Sequence, residues 1–128
     1  MSAVTQGVER GKLKTLGFTD AEMEFQLQRG LGAANYGGSS VGELLAAAQH
    51  IRSRSDSNEE AGGAAECWVQ VHAQLAQQTE KLGREALAKG HSISARDHLL
   101  RASMYYRAAE YFCDPYQPDH TRWGLASR

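Results

Sequence analysis

Apolar residues along the chain recur at spacings of three and four, the period of an α-helix with one buried side. Four stretches show this period, each bounded by residues that start or stop helices. The first is predicted to begin at Thr19, whose hydroxyl can cap the first amides while Glu22 reaches back. We expect Gly30 and Gly32 to end it.

The second helix is predicted to begin with the capping box from Ser40 to Glu43. Behind this box, apolar residues fall on one helical side: Val41, Leu44, Leu45, Ala48 and Ile51. Residues 54–63 are polar, acidic and end in glycine, which predicts a loop.

The third helix is predicted from about Ala64 to Lys89, and Gly90 should stop it. Its buried side is marked by Trp68, Val71, Leu75, Leu82 and Ala86. The fourth helix is predicted to start near Ser94, which acts as its cap, and to end at Asp114 because the residue before a proline avoids the helical region. Its inner side is marked by Ala95, Leu99, Ala102, Tyr106 and Ala109.

No stretch shows the alternation of a β-strand, so the pattern predicts an all-α fold of four principal helices. We expect an N-terminal segment over residues 1–16, a helical domain over 17–113, and a tail or linker over 114–128. The tail shows no period that predicts a further helix.

Composition narrows the possible partners. The 128 residues include 14 basic and 15 acidic side chains and carry a net charge of -1, which argues against a nucleic-acid-binding surface. The sequence shows no apolar run long enough to span a membrane and no signal peptide, so we expect a cytoplasmic protein without a membrane partner. Two isolated cysteines favour free thiols over a disulfide framework.

The stretch Gly38-Ser39-Ser40-Val41-Gly42 matches G-x-S-x-G, the motif of the nucleophile elbow in α/β-hydrolases. A triad in the usual order could combine Ser40, Asp97 and His120. However, the residues before Ser40 are too rich in glycine and alanine for the buried strand that an elbow requires. We therefore interpret Ser40 as a helix cap and assign no catalytic residue to this chain.

Histidines are scattered without metal-ligand spacing, and no lysine follows Gly37-Gly38 at P-loop spacing, so we expect no metal and no cofactor. The most interesting cluster lies on the fourth predicted helix. There Arg101 and Arg107 flank Tyr105 and Tyr106. These side chains either form surface ion pairs or line a substrate or subunit interface.

Residues 90–112, GHSISARDHLLRASMYYRAAEYF, resemble the N-terminal helical region of a branch of α/β-hydrolases. This branch includes the pseudooxynicotine hydrolases and the fungal hydrolases that shorten naphthopyrone polyketides. The resemblance extends over about residues 17–112 through Gly37-Gly38, Gly42-Glu43, Trp68 and Leu75-Ala76. It departs from the pattern at His72, where a second tryptophan is expected, and at residues 61–65.

The resemblance implies a helical cap that shapes the substrate pocket and mediates subunit contacts. The serine, acid and histidine would lie in an α/β core that this sequence lacks. The implied partners are such a core, in the same or a separate chain, or a second copy of this chain. The implied reaction is hydrolysis of an acyl or C–C bond in an aromatic or polyketide-like ketone. The alternative is a free-standing helical interaction module, since the third and fourth helices form a repeat-like hairpin.

Overall fold

A computed structural model describes residue 18 and residues 20–57, 63–113, 116 and 118–128. These residues contain five α-helices, one short 3-10 helix and no β-strand, which confirms the all-α prediction. In chain order the α-helices are α1 (Ala21–Gly32), α2 (Val41–Ser57), α3 (Gly63–Ala88), α4 (Ser92–Phe112) and α5 (Pro118–Ala126). The 3-10 helix spans Ala33–Tyr36. Within the described ranges, no helix is long and apolar enough to cross a membrane.

The N-cap of α1 is Asp20, one residue after the predicted Thr19, which lies outside the described residues. The Asp20 carboxylate accepts hydrogen bonds from the amides of Glu22 and Met23 at 2.9 and 3.1 Å. Such a carboxylate satisfies amides that have no partner inside the helix.

Helix α1 ends at Gly32, one of the two glycines predicted to stop it, but the chain does not leave the helical region there. It continues from Gly32 into the 3-10 helix and turns at Gly37, whose φ of 81° lies in the left-handed region that favours glycine. Gly30 has a different role, because a Cβ built there would lie 3.1 Å from the Leu44 side chain. The glycine thus lets α1 and α2 approach closely.

Helix α2 is longer than predicted, because residues 54–57 continue the helix instead of forming a loop. Leu44, Ala48 and Ile51 are buried as the apolar period predicted, whereas Val41 and Leu45 are exposed. The inner side of α2 is therefore narrower than its row of apolar residues suggested.

Helices α3 and α4 form the long hairpin on which the other helices pack. Gly90 ends α3 as predicted, with a φ of 78°, and the amides of Gly90 and His91 donate to the carbonyls of Leu87 and Ala86. Helix α4 starts at Ser92 with His91 in the N-cap position, so the predicted cap Ser94 lies inside the first turn and does not begin the helix.

The core is centred on Trp68 of α3. Its indole nitrogen donates to the Ala108 carbonyl of α4 at 2.9 Å, and its ring packs edge-on against Phe18 and Phe112. His72 lies one turn later, with its ring 4.2 Å from that of Trp68. The core thus joins residues of the hairpin to the start of the described chain.

The stretch after Pro115, for which we expected a tail, contains a helix. Trp123 of α5 is buried and stacks on Tyr106 with ring centroids 5.9 Å apart. The Ser103 hydroxyl donates to the Ser127 carbonyl and fixes the end of α5 against α4. The nine-residue helix is too short for its apolar period to be convincing from sequence alone.

Candidate functional site

A partly buried cluster joins the start of α2 to the middle of α4. The Arg101 Nε donates to Glu43 Oε1 at 3.0 Å, and the Tyr105 hydroxyl donates to the same oxygen at 2.7 Å. The Tyr105 hydroxyl also accepts from the Ser40 amide at 2.9 Å. Arg101 further contacts His98 Nδ1 at 2.8 Å. One carboxylate thereby holds two side chains of α4 against the first turn of α2.

Burial, followed by the hydrogen bond to Glu43, raises the pKa of Tyr105 well above its usual range. The Tyr105 hydroxyl therefore stays protonated at neutral pH. It both donates to Glu43 and accepts from Ser40, so its bonding capacity is used inside the protein. The arrangement is typical of a residue that holds two helices together rather than of an acid or base that acts on a substrate.

Ser40 lies at the start of α2, where its carbonyl accepts from the Leu44 amide at 3.0 Å. It follows the 3-10 helix and a turn rather than a strand, which does not fit a nucleophile elbow. The other members of the formal triad have different neighbours. Asp97 lies 3.8 Å from Arg96, and His120 lies 3.8 Å from Glu110. None of the contacts found for the described residues joins Ser40, Asp97 and His120.

Tyr106 points to a different part of the molecule from Tyr105. Its hydroxyl donates to Glu80 Oε1 on α3 at 2.6 Å, and Arg84 pairs with the other oxygen of that carboxylate at 2.6 Å. The Tyr106 bond and the Arg84 bond together lower the pKa of Glu80. Tyr106 thus joins α3, α4 and the Trp123 ring of α5.

Arg107 lies on the opposite side of α4 and lines an open groove of about 710 Å³. Its volume lies within the range of about 300–1,000 Å³ that is typical of ligand sites. We call this feature the Arg107 groove; helices α1, α4 and α5 and the 3-10 helix contribute Gln26, Arg29, Tyr36, Met104, Arg107, Glu110, Tyr111 and His120 to it.

The structure therefore separates the four side chains that sequence analysis grouped together. Arg101 and Tyr105 contact the start of α2, Tyr106 contacts α3 and α5, and Arg107 lines the groove. Their positions follow from the 100° rotation between successive helical residues, which turns adjacent side chains toward different neighbours.

Sequence analysis missed several residues that complete these contacts. Glu43 was recognised as part of a capping box and of the hydrolase resemblance but not as a partner of Arg101 and Tyr105, and Glu80 was not singled out. Ser39, rather than Ser40, uses its hydroxyl in the turn and donates to the Gly30 carbonyl at 2.6 Å. Glu43 and Glu80 could have been considered as acidic partners for the tyrosines of the fourth helix. However, Tyr105 lies 62 residues from Glu43, and Tyr106 lies 26 residues from Glu80.

His72 is a second group that sequence analysis noted without assigning a contact. Its Nδ1 lies 3.0 Å from the Trp68 carbonyl, and its side chain is 1% exposed. Burial lowers the pKa of His72 to about 4, so the ring is neutral near pH 7. It borders a 40 Å³ cavity between the hairpin, α1 and the turn before α2. No three His, Cys, Asp or Glu side chains in the described parts of the chain are placed to hold a metal.

Comparisons with known proteins identify relatives of this chain among fungal hydrolases. It is 37% identical over 98 residues to the hydrolase acrC of Aspergillus aculeatus, covering 77% of this chain and 21% of the relative. It is 35% identical over 88 residues to the alpha/beta hydrolase xenA of Xenoacremonium sinensis, covering 69% and 19%. The hydrolyase poxO of Penicillium oxalicum is 39% identical over 94 residues, covering 73% and 20%.

The predicted resemblance to α/β-hydrolases is therefore confirmed. The chain spans about a fifth of the length of the curated relatives that it matches. No family model matches the sequence. No solved structure matches it either.

Proposed function

We propose that this chain, as a homologue of part of these α/β-hydrolases, is the helical cap of a serine hydrolase. The observation that carries the proposal is the match of an all-helical segment to about a fifth of each hydrolase relative. The serine of its G-x-S-x-G stretch begins a helix, which supports a nucleophile located in an α/β core outside this sequence. A cytoplasmic location remains a prediction from the sequence.

In this proposal the core performs acyl transfer on an acyl or C–C bond of an aromatic or polyketide-like ketone. Its serine would attack the carbonyl carbon, its histidine would carry the proton, and backbone amides would stabilise the oxyanion. The cap would close one side of the pocket and exclude water from the reacting bond. The exposed side chains of Tyr36 and Tyr111 at the Arg107 groove, and of Leu100 elsewhere on α4, support contact with the core or with a second copy of this chain.

The test is a replacement experiment in the hydrolase acrC, whose matched segment is exchanged for this chain. We expect deletion of that segment to lower kcat/KM for a naphthyl ester strongly, and the exchange to restore much of it. A matched exchange that carries Ser40→Ala should be as active as the unmodified exchange.

A fluorophosphonate probe identifies the nucleophile in the same samples. We expect it to label a serine of the acrC core and to leave this chain unlabelled. Labelling of Ser40, or full activity of the deletion variant, would refute the cap assignment. A soluble monomer that neither restores activity nor binds apolar dyes would instead favour the free-standing interaction module.

A further inference from the structure

The Arg107 groove contains two guanidinium groups that are not used in ion pairs within the described part of the chain. Arg107 is exposed on α4, and Arg29 is exposed in the last turn of α1. The hydrogen bond shown for Arg29 joins its Nη1 to Gln26 Oε1 at 3.5 Å, the limit of a hydrogen bond. Both groups can therefore accept an anion without breaking a strong internal contact.

Two carboxylates beside the groove have contacts with residues other than the two arginines. Glu22 Oε1 accepts from the Tyr111 hydroxyl at 2.7 Å and from Gln26 Nε2 at 2.8 Å. Glu110 Oε1 lies 3.8 Å from His120 Nε2. Protein donors thus occupy the Glu22 carboxylate, whereas the contact of Glu110 with His120 is longer than a hydrogen bond. The two guanidinium groups remain available to a ligand.

Aromatic and thioether surfaces lie beside the two arginines. Tyr36 is 68% exposed and Tyr111 is 53% exposed, although both rings line a concave surface. Met104 of α4 also lines the groove and is partly buried. Tyrosine rings and a flexible thioether provide favourable contacts for a planar aromatic group.

We propose that the Arg107 groove binds a planar aromatic carboxylate, with the carboxylate at Arg107 and Arg29 and the ring against Tyr36, Met104 and Tyr111. Guanidinium groups bind carboxylates through paired, charge-assisted hydrogen bonds. The class of ligand is inferred from the two guanidinium groups and the aromatic side chains of the groove. The role of that ligand as a reaction product rests on the proposed function.

The proposed hydrolysis would generate such a ligand. Water is added across the bond between the acyl carbon and its leaving group. The acyl fragment leaves as a carboxylic acid, which ionises at neutral pH, and the other fragment takes a proton. A groove that prefers the anion to the neutral precursor would act as a product-side or acid-recognition subsite of the cap.

The experiment uses the full 128-residue chain and the probe 2-naphthoate, with 2-naphthamide as its neutral match. Amide chemical shifts in NMR spectra report both affinity and location. At pH 7.5 we expect 2-naphthoate to bind about tenfold more tightly than the amide, since a hydrogen bond to a charged group contributes that much or more. The shifts should concentrate around residues 26–36 and 104–111.

Arg107→Gln should weaken 2-naphthoate binding about tenfold and leave 2-naphthamide binding unchanged. Arg96→Gln is the matched control, because Arg96 is also exposed on α4 but pairs with Asp97 outside the groove. Since Arg107 is on the surface, both variants should keep the wild-type melting temperature. The affinities of 2-naphthoate and 2-naphthamide for the wild-type chain can be compared without any variant. This comparison therefore still tests the proposal if a variant unfolds.

Equal affinity for the two probes, absence of 2-naphthoate binding at millimolar concentration, or shifts outside the groove would overturn the proposal. If 2-naphthoate leaves the groove amides unchanged but a hydrolase core shifts them, the groove is a protein contact instead. The replacement experiment in acrC fails or succeeds independently of this binding. If the chain binds 2-naphthoate selectively but restores no activity in acrC, the cap assignment is refuted and the proposal that the groove binds an aromatic carboxylate still holds.

Discussion

The two sides of α4 differ in what their aromatic residues do. On the inner side, Tyr105 and Tyr106 are nearly fully buried, and each donates its hydroxyl to a glutamate of another helix. On the outer side, Tyr111 is half exposed and Arg107 faces the groove. One helix thus provides both the fixed interior of the bundle and one side of an open concave surface.

This difference teaches that a cluster of arginine and tyrosine in a sequence does not by itself define a site. The inner residues use their polar atoms to fix helices, and this leaves them little capacity for a ligand. On the outer side, Arg107 retains that capacity because no ion pair is found for it among the described residues. The following predictions test whether the two sides behave as differently in stability as they do in structure.

The largest loss of stability should come from a substitution in the core that packs against the inner side of α4. Trp68→Ala removes a fully buried ring that contacts Phe18, His72 and Phe112, and should lower the free energy of unfolding by about 3–5 kcal/mol. Leu100→Ala, on the outer side, should cost about 1 kcal/mol or less. Urea denaturation followed by circular dichroism measures both, and similar losses would show that the two sides do not differ in packing.

Removal of a tyrosine hydroxyl should cost more stability on the inner side of α4 than on its outer side. Tyr105→Phe leaves the Ser40 amide and part of the Glu43 carboxylate without their partner, which should cost about 1–3 kcal/mol. Tyr111→Phe removes an exposed hydrogen bond to Glu22 and should cost about 0.5 kcal/mol. Urea denaturation measures both losses. A larger loss of unfolding free energy in Tyr111→Phe than in Tyr105→Phe would contradict the proposed role of Tyr105 in holding α4 against α2.

The interior should also make stability depend on pH through His72. Its folded pKa of about 4 lies below the value of 6.5 of an unperturbed histidine. Between these values the unfolded chain binds a proton that the folded chain does not, so stability falls as pH falls from about 6.5 towards 4. The loss between pH 7.5 and pH 5 should be about 2 kcal/mol. Melting curves of wild type and His72→Phe should show a shallower pH dependence in the variant, and equal slopes would exclude His72 as the source.

Much of the fold could be predicted from sequence because the long helices carry strong local signals. The apolar period and Gly90 were sufficient to predict the α3–α4 hairpin, although Leu82, predicted on the buried side of α3, is exposed. The errors arose where tertiary contacts override local preference. Gly30 lies inside α1, which ends at the other predicted glycine, Gly32, and it permits a close approach to Leu44. Helix α5 depends on the packing of Trp123 against Tyr106.

The candidate site was less predictable than the fold. Sequence analysis singled out Arg101, Tyr105, Tyr106 and Arg107, but their separate directions depend on which helix packs on each side of α4. Arg29 enters the groove from 78 positions away in the chain, and no local pattern relates it to Arg107. Long-range pairing between helices is the information that a single sequence does not contain.

A small loss of stability should come from substitution of Ser40, the backbone partner of Tyr105. Ser40→Ala keeps both of the bonds that the structure shows for this residue, because its amide still donates to Tyr105 and its carbonyl still accepts from Leu44. Loss of an N-cap side chain costs about 1 kcal/mol on average, so we expect that cost or less, and less than the cost of Tyr105→Phe. Urea denaturation of the two variants decides the ranking. A larger loss in Ser40→Ala would mean that the serine hydroxyl, and not the Tyr105 bond, holds the start of α2 against α4.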